Sequence, residues 1–296
     1  MPGVIRSVRT TGRRWVRDIP ICSMFASLAP TVWIAITLAL FVASAQGLAV
    51  GTQQIDRQAM QAVCESSVAV SIGRSGHYQC DVCPSYTDFH GNRKLSFNLQ
   101  KIFRGHFSTN AQEQALLVLS GCENHADGFG GTALLTHEGA GWKKSAYFKA
   151  FKPSNCLVFK GRDGLERLAC RENDAHFGTA EYWVEAASFE DNALHRRFML
   201  PIIIDNMAGL GFPVKGYCYE QKITRFERLP SGGGFVVVVT QTRGRAPSGE
   251  KACGETKIPM EPKQPLTLRF HFDGNGFTLA KGSQAGLERI KHFVPH

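Results

Sequence analysis

Short stretches in which apolar and polar residues alternate, bounded by Gly, Asn and Asp-Gly, fill most of the chain beyond residue 94. A period of two between turn signals is the signature of strands with one buried face. The pattern predicts strands over 94–107, 114–120, 131–137 and 142–151, a hairpin over 156–170, and a strand over 178–187. A charged stretch, 189–197, reads as a short helix or a connecting loop. Beyond it come strands over 198–204, 214–228, 234–243 and 267–272, with 276–279 closing a hairpin over Asp273-Gly274-Asn275. The four-valine run Val236 to Val239 predicts a strand buried on both faces. Residues 243–265 are polar and Pro-rich and read as a long surface connection. Helical spacing is confined to two short segments, 52–66 with Thr52 as a candidate N-cap, and 284–293. The fold class expected is all-β, mainly antiparallel and sandwich-, barrel- or propeller-like, with short flanking helices and disulfide bonds.

One hairpin can be registered from the sequence. Around Arg162-Asp163-Gly164, where Gly164 can take a left-handed conformation, Gly161 faces Leu165. Counting outward sets Lys160 against Glu166, Val158 against Leu168 and Cys156 against Cys170. Charge, apolar contact and sulfur then match across the strands, and a Cys156–Cys170 bond is expected.

The amino terminus changes the reading of the cysteines. Arg6, Arg9, Arg13, Arg14 and Arg17 precede an uncharged stretch from Ile19 to Gln54, followed by Ala43-Ser44-Ala45 within it. This is the order of an export signal, with cleavage expected before Gln46. Residues 1–45 are thus a signal peptide or, alternatively, a membrane anchor, and 46–296 an extracytoplasmic domain with possible sub-regions 67–188 and 198–296. Either outcome leaves the domain outside the cytoplasm, in the periplasm or the medium. Cys64, Cys80, Cys83, Cys122, Cys156, Cys170, Cys218 and Cys253 remain in the mature chain, an even number suited to disulfides in an oxidising compartment. For Cys80-Asp-Val-Cys83, ordinary disulfide chemistry is favoured over a metal site recruiting His90 with Cys64 or Cys122, and over a redox site. Pro84 excludes haem attachment.

Phe129-Gly-Gly-Thr-Ala133 and His176-Phe-Gly-Thr-Ala180 repeat a Phe-Gly strand start at a spacing near the blade period of a propeller. With the turn Arg162-Asp163-Gly164 and Leu168, these residues make about a third of the chain similar to FG-GAP-type propeller repeats. The resemblance implies radially arranged four-stranded blades. It does not bring the family's calcium loop, because Phe159, Gly161 and Arg167 stand where alternate oxygen ligands would be needed.

Recognisable catalytic machinery is missing. The sequence holds no G-x-S-x-G elbow, P-loop, dinucleotide fingerprint or H-E-x-x-H. Ser120-Gly121-Cys122 reads as a strand end with a disulfide cysteine, His137-Glu138 as a turn and His271 as a strand residue. Glu123, His125 and Asp127 form the densest group of possible ligands, read as a polar loop, and Trp142 and Trp183 are expected in the core. No cofactor and no resident metal are expected. The excess of 34 basic over 25 acidic residues falls once the leader arginines are discounted, and no basic, aromatic-lined stripe suggests nucleic acid. The expectation is a non-catalytic binding or envelope-structural protein that meets a protein or polysaccharide ligand, touching a membrane only through an uncleaved leader. The alternatives are a secreted hydrolase using loop carboxylates or histidines, and a tethered accessory subunit.

Overall fold

A computed structural model describes residues 56–65, 70–73, 76–90, 95–124, 130–176, 178–207, 211–246, 252–255 and 257–293. The leader over 1–45, its cleavage point and its anchoring alternative lie outside the described residues. A helix, α1, covers residues 56–63. Six strands form the first sheet in chain order: β1 (Val70–Ile72), β2 (Tyr78–Cys80), β3 (Phe97–Gly105), β4 (Gln114–Ser120), β5 (Gly130–Glu138) and β6 (Gly141–Lys149). The second sheet contains β7 (Asn155–Lys160), β8 (Glu166–His176), β9 (Thr179–Glu190) and β10 (Ala193–Phe198), with β11 (Ile203–Asp205) also pairing with β9. The third is β12 (Tyr217–Arg228), β13 (Gly234–Arg245), β14 (Gln264–Phe272) and β15 (Phe277–Leu279), followed by α2 (Gln284–Lys291). Every pairing between these strands is antiparallel, and the first and third sheets are open paths with two edges.

The sheets stack because their side chains alternate between two buried faces. Ala115, Leu117 and Leu119 of β4 pack with Ala59, Met60 and Val63 of α1. Their neighbours Leu116 and Val118 point the other way, onto Leu168, Ala187 and Phe189 of the second sheet. Phe159, Ala169 and Val184 use the opposite face of that second sheet to meet Val237, Val239, Leu268 and Phe277 of the third. The second sheet is therefore central and covered on both sides. The sub-regions 67–188 and 198–296 share it, since β9 pairs with β10 and β11.

The hairpin between β7 and β8 has Val158 opposite Leu168 and Lys160 opposite Glu166, the register obtained by counting outward from its turn. Gly164 supplies a positive φ of 83° there. The stretch 189–197 departs from the helix-or-loop reading: β9 continues to Glu190 and β10 starts at Ala193. Asp191 and Asn192 have φ of 51° and 61°, the positive pair that a two-residue hairpin turn requires. The strand expected over 198–204 is split between β10 and β11, with Pro201, which lacks an amide donor, in the gap. The long connection after β13 is pinned rather than superficial. Cys253 and Ile258 are buried, and Gly244 passes so close that a Cβ there would meet Ile258 Cγ2 at 2.6 Å.

Four disulfides join Cys64 to Cys80, Cys83 to Cys122, Cys156 to Cys170 and Cys218 to Cys253. Cys80 and Cys83 thus go to different partners, two bonds that tie α1 and the segment after β2 to the first sheet. A set of closed loops like this belongs to an oxidising environment outside the cytoplasm. Among the described residues no helix is long and apolar enough to cross a membrane.

Replacing Cys83 and Cys122 together by Ala releases a loop whose ends are 39 residues apart. The expected loss is about 3–4 kcal/mol of unfolding free energy. Urea denaturation checks it, and a double variant as stable as the parent would show that this bond does not restrain the unfolded chain.

Candidate functional site

Along β8 the face that meets the first sheet runs Leu168, Cys170 and then Glu172, so a carboxyl replaces an apolar side chain where alternation demands burial. The register places Trp183 opposite Glu172, Glu185 opposite Cys170, and Arg196 opposite Ala187. All four side chains therefore share the face that forms the apolar core one turn of the pleat further along. Where Phe107, Phe151 and Phe189 end, the gap between the two sheets changes from packed core to an open polar cleft of about 540 Å³. Glu172, Trp183, Glu185 and Arg196 make its floor, while Gln100, Ser120 and Ser154 stand on the side of the first sheet and the following loop. Its size falls in the range of small-molecule sites, roughly 300–1,000 Å³.

The two floor carboxyls have different partners. Arg196 donates to both oxygens of the fully buried Glu185, Nε to Oε2 at 2.9 Å and a terminal nitrogen to Oε1 at 3.0 Å. That fork is the strong, orienting form of a charged hydrogen bond, and the guanidinium also lies 5.4 Å from the Phe151 ring centre. Glu172 has no such partner. Burial, reinforced by the negative charge of Glu185, pushes its carboxyl up to about 8, against the opposing pull of Arg196 and the Ser154 amide. Its Oε1 and the Trp183 Nε1 are both shielded from solvent without a hydrogen-bond partner among the described residues. Near neutral pH Glu172 is thus a neutral carboxyl beneath the floor of the cleft, beside the buried indole N–H of Trp183.

Glu172 also lies with Cys156 and Cys170 in the one group of possible metal ligands that the described residues bring within 4.8 Å of one another. Both sulfurs are consumed in a disulfide, so the group supplies no thiolate and does not suit a metal ion.

The candidates taken from sequence fall elsewhere, with one exception. Ser120 does line the cleft, but it accepts a hydrogen bond from Gln100 at 2.8 Å and has Gly121 and the Cys83–Cys122 bond behind it, and no histidine among the described residues meets its hydroxyl. Glu123 points inward rather than standing in a polar loop. It is buried and accepts from the Tyr147 hydroxyl at 2.7 Å, with Lys149 at 4.0 Å from its other oxygen. Burial raises its affinity for a proton, and nearby Asp88 adds to this. Its companions His125 and Asp127 lie outside the described residues. His137 packs edge-on against Trp142 at 5.1 Å, and His271 is exposed on β14. His90 turns back onto the Thr87 carbonyl at 3.1 Å, away from any sulfur ligand set. Trp142 joins the core cluster under α1, whereas Trp183, expected there too, faces the cleft. Glu172, Glu185 and Arg196 were passed over by the sequence reading. The detectable signal was Glu172 continuing the Leu168–Cys170 face of a hairpin whose register was already legible.

Comparison of the chain with protein-family models, with curated proteins and with solved structures finds no match.

Because the raised Glu172 carboxyl holds a proton that the unfolded chain releases near 4.5, its contribution to stability is complete below that pH and is lost as pH rises through about 8. Glu172→Gln, which keeps the shape and stays neutral, is expected to match the parent near pH 4.5 and to unfold at a higher temperature near pH 8. Paired thermal melts across this window check it; parallel curves would place the Glu172 carboxyl in water.

Proposed function

We propose that this chain is an exported, non-catalytic binding protein whose inter-sheet cleft takes a polyhydroxylated ligand, such as a short stretch of polysaccharide. The observation that carries the reading is the state of the two floor carboxyls. Glu185 has both oxygens committed to Arg196, and Glu172 favours its neutral form, so neither is placed to act as a nucleophile or base. Asp174, at the rim, accepts from its neighbour's amide, Ala175 N–H, at 2.7 Å. What the cleft presents instead is a mixture of donors and acceptors, from Glu172, Gln100, Ser154 and Asn173, around the Trp183 ring. Hydroxyl groups can satisfy such a set in either sense, and an aromatic face covers the apolar side of a sugar ring.

The arginine-led apolar leader and the four disulfides support export of a mature chain beginning at Gln46 to the periplasm or the medium. Docking through a sheet edge is less favoured. The outer strand β6 carries Lys143, Lys144 and Lys149, and β10 carries Arg196 and Arg197, charges that discourage further strand pairing.

A hydrolase remains the second reading on one specific observation: a carboxyl with raised proton affinity beside a second carboxyl on the adjoining strand, the pairing used in glycoside cleavage. Titrating the mature protein with a panel of neutral and acidic oligosaccharides, while following tryptophan fluorescence and reducing-end release, separates the two. Saturable quenching without release is expected, and Trp183→Ala should weaken binding about tenfold, the equivalent of about 1.4 kcal/mol. Release abolished by Glu172→Gln would establish the hydrolase, and no saturable response to any oligosaccharide would refute both.

A further inference from the structure

The other face of the central sheet carries a second cavity, of about 210 Å³, between the strand ends and the turn joining β14 to β15. Register puts its floor together. Arg167 lies on the face of Ala169, which packs toward the third sheet, while Ser188 pairs with His195 and Ala186 with Arg197. Asn275, Gly276 and Phe277 close the opposite side. Arg196 reaches its wall as well, but with its charge matched by Glu185.

Arg167 is only 12% exposed. One terminal nitrogen donates to Asp163 at 2.6 Å, whereas the other is sealed from solvent and has no hydrogen-bond partner among the described residues. Burying a charged N–H without an acceptor costs more than a typical hydrogen bond contributes, so an acceptor at this position would be well rewarded. Among the described residues no carboxylate lines the cavity. The backbone N–H groups of Asn275 and Gly276 are already given to the Asp273 carboxylate, at 2.8 and 2.9 Å, so the donors available to a ligand are side chains. Arg197, whose guanidinium donates to the Phe277 carbonyl, brings a second positive charge to the rim, beside His195 and Ser188.

We infer that this cavity is a second binding site, separate from the inter-sheet cleft, and that it takes a compact oxyanion: a carboxylate, sulfate or phosphate group. In the bound state the Arg167 side chain shifts so that its spare N–H meets one oxygen from below, and Arg197 and His195 contact the others from the rim. Guanidinium groups suit all three anions by charge and fork geometry. The volume lies below the usual range for drug-sized ligands and admits a small acid or the charged end of a larger molecule, not a polymer chain.

The test is a titration of the mature protein with sodium sulfate, sodium phosphate and sodium acetate, each against sodium chloride at matched ionic strength, reading thermal stability and heat of binding. At least one oxyanion should stabilise the parent saturably with one site, and the ranking identifies which group fits. Arg197→Gln, at an exposed position, should weaken that binding about tenfold. Arg167→Lys, which keeps the charge facing Asp163 but removes the spare N–H, should weaken it as well. Arg225→Gln, an equal loss of charge on the third sheet, should leave it unchanged. The site is refuted if no oxyanion acts beyond chloride, or if the Arg197 and Arg225 variants behave alike.

Discussion

The molecule depends on burying both faces of one antiparallel sheet. β8 and β9 place apolar side chains on alternating sides, and neither set can be left in water at a cost of roughly 25 cal/mol per Å². Leu168, Ala187 and Phe189 require the first sheet, and Ala169 and Val184 require the third. The two outer sheets can each shed one face to helix or solvent, as the first does beneath α1. The central one cannot, so the whole chain is organised around covering it.

The same constraint positions the polar chemistry. A cover that ends before the strand does leaves inward-facing positions beside a gap, and there the chain uses charge in place of hydrocarbon. On one face the core gives way to Glu172, Trp183, Glu185 and Arg196; on the other, to Arg167 and Arg197. One face gathers a proton-retaining carboxyl and a neutralised ion pair, the other an excess of guanidinium. Opposite chemistries are thus held on the two sides of one wall, whose inner strand β8 is tied to the edge strand β7 by the Cys156–Cys170 bond.

Much of the architecture was legible in the chain. Period-two alternation located most strands, and Gly164 with its flanking residues set the β7–β8 register, because a turn and the side-chain period together determine which residues face each other. The β9–β10 turn was equally available in Asp191-Asn192, but the density of charge around it, on an exposed edge strand, masked the alternation. The site was far less legible. Glu123 read as part of a polar loop because of its neighbours in sequence, yet Tyr147 takes it into the core; Trp183 read as core, yet it faces the cleft. Both errors have one cause: the depth of a strand position depends on how far the adjoining sheet extends over it, and that is a property of tertiary packing rather than of the strand.

Hydrogen exchange of the folded protein tests the doubly covered sheet directly. The amides of Leu168 to Cys170 and Val184 to Ala187 are expected to exchange last, only through global unfolding, after those of the edge strands β6 and β12 have opened. Exchange in β8 and β9 as early as in those edges would contradict this, because a sheet enclosed on both faces has no local route to solvent.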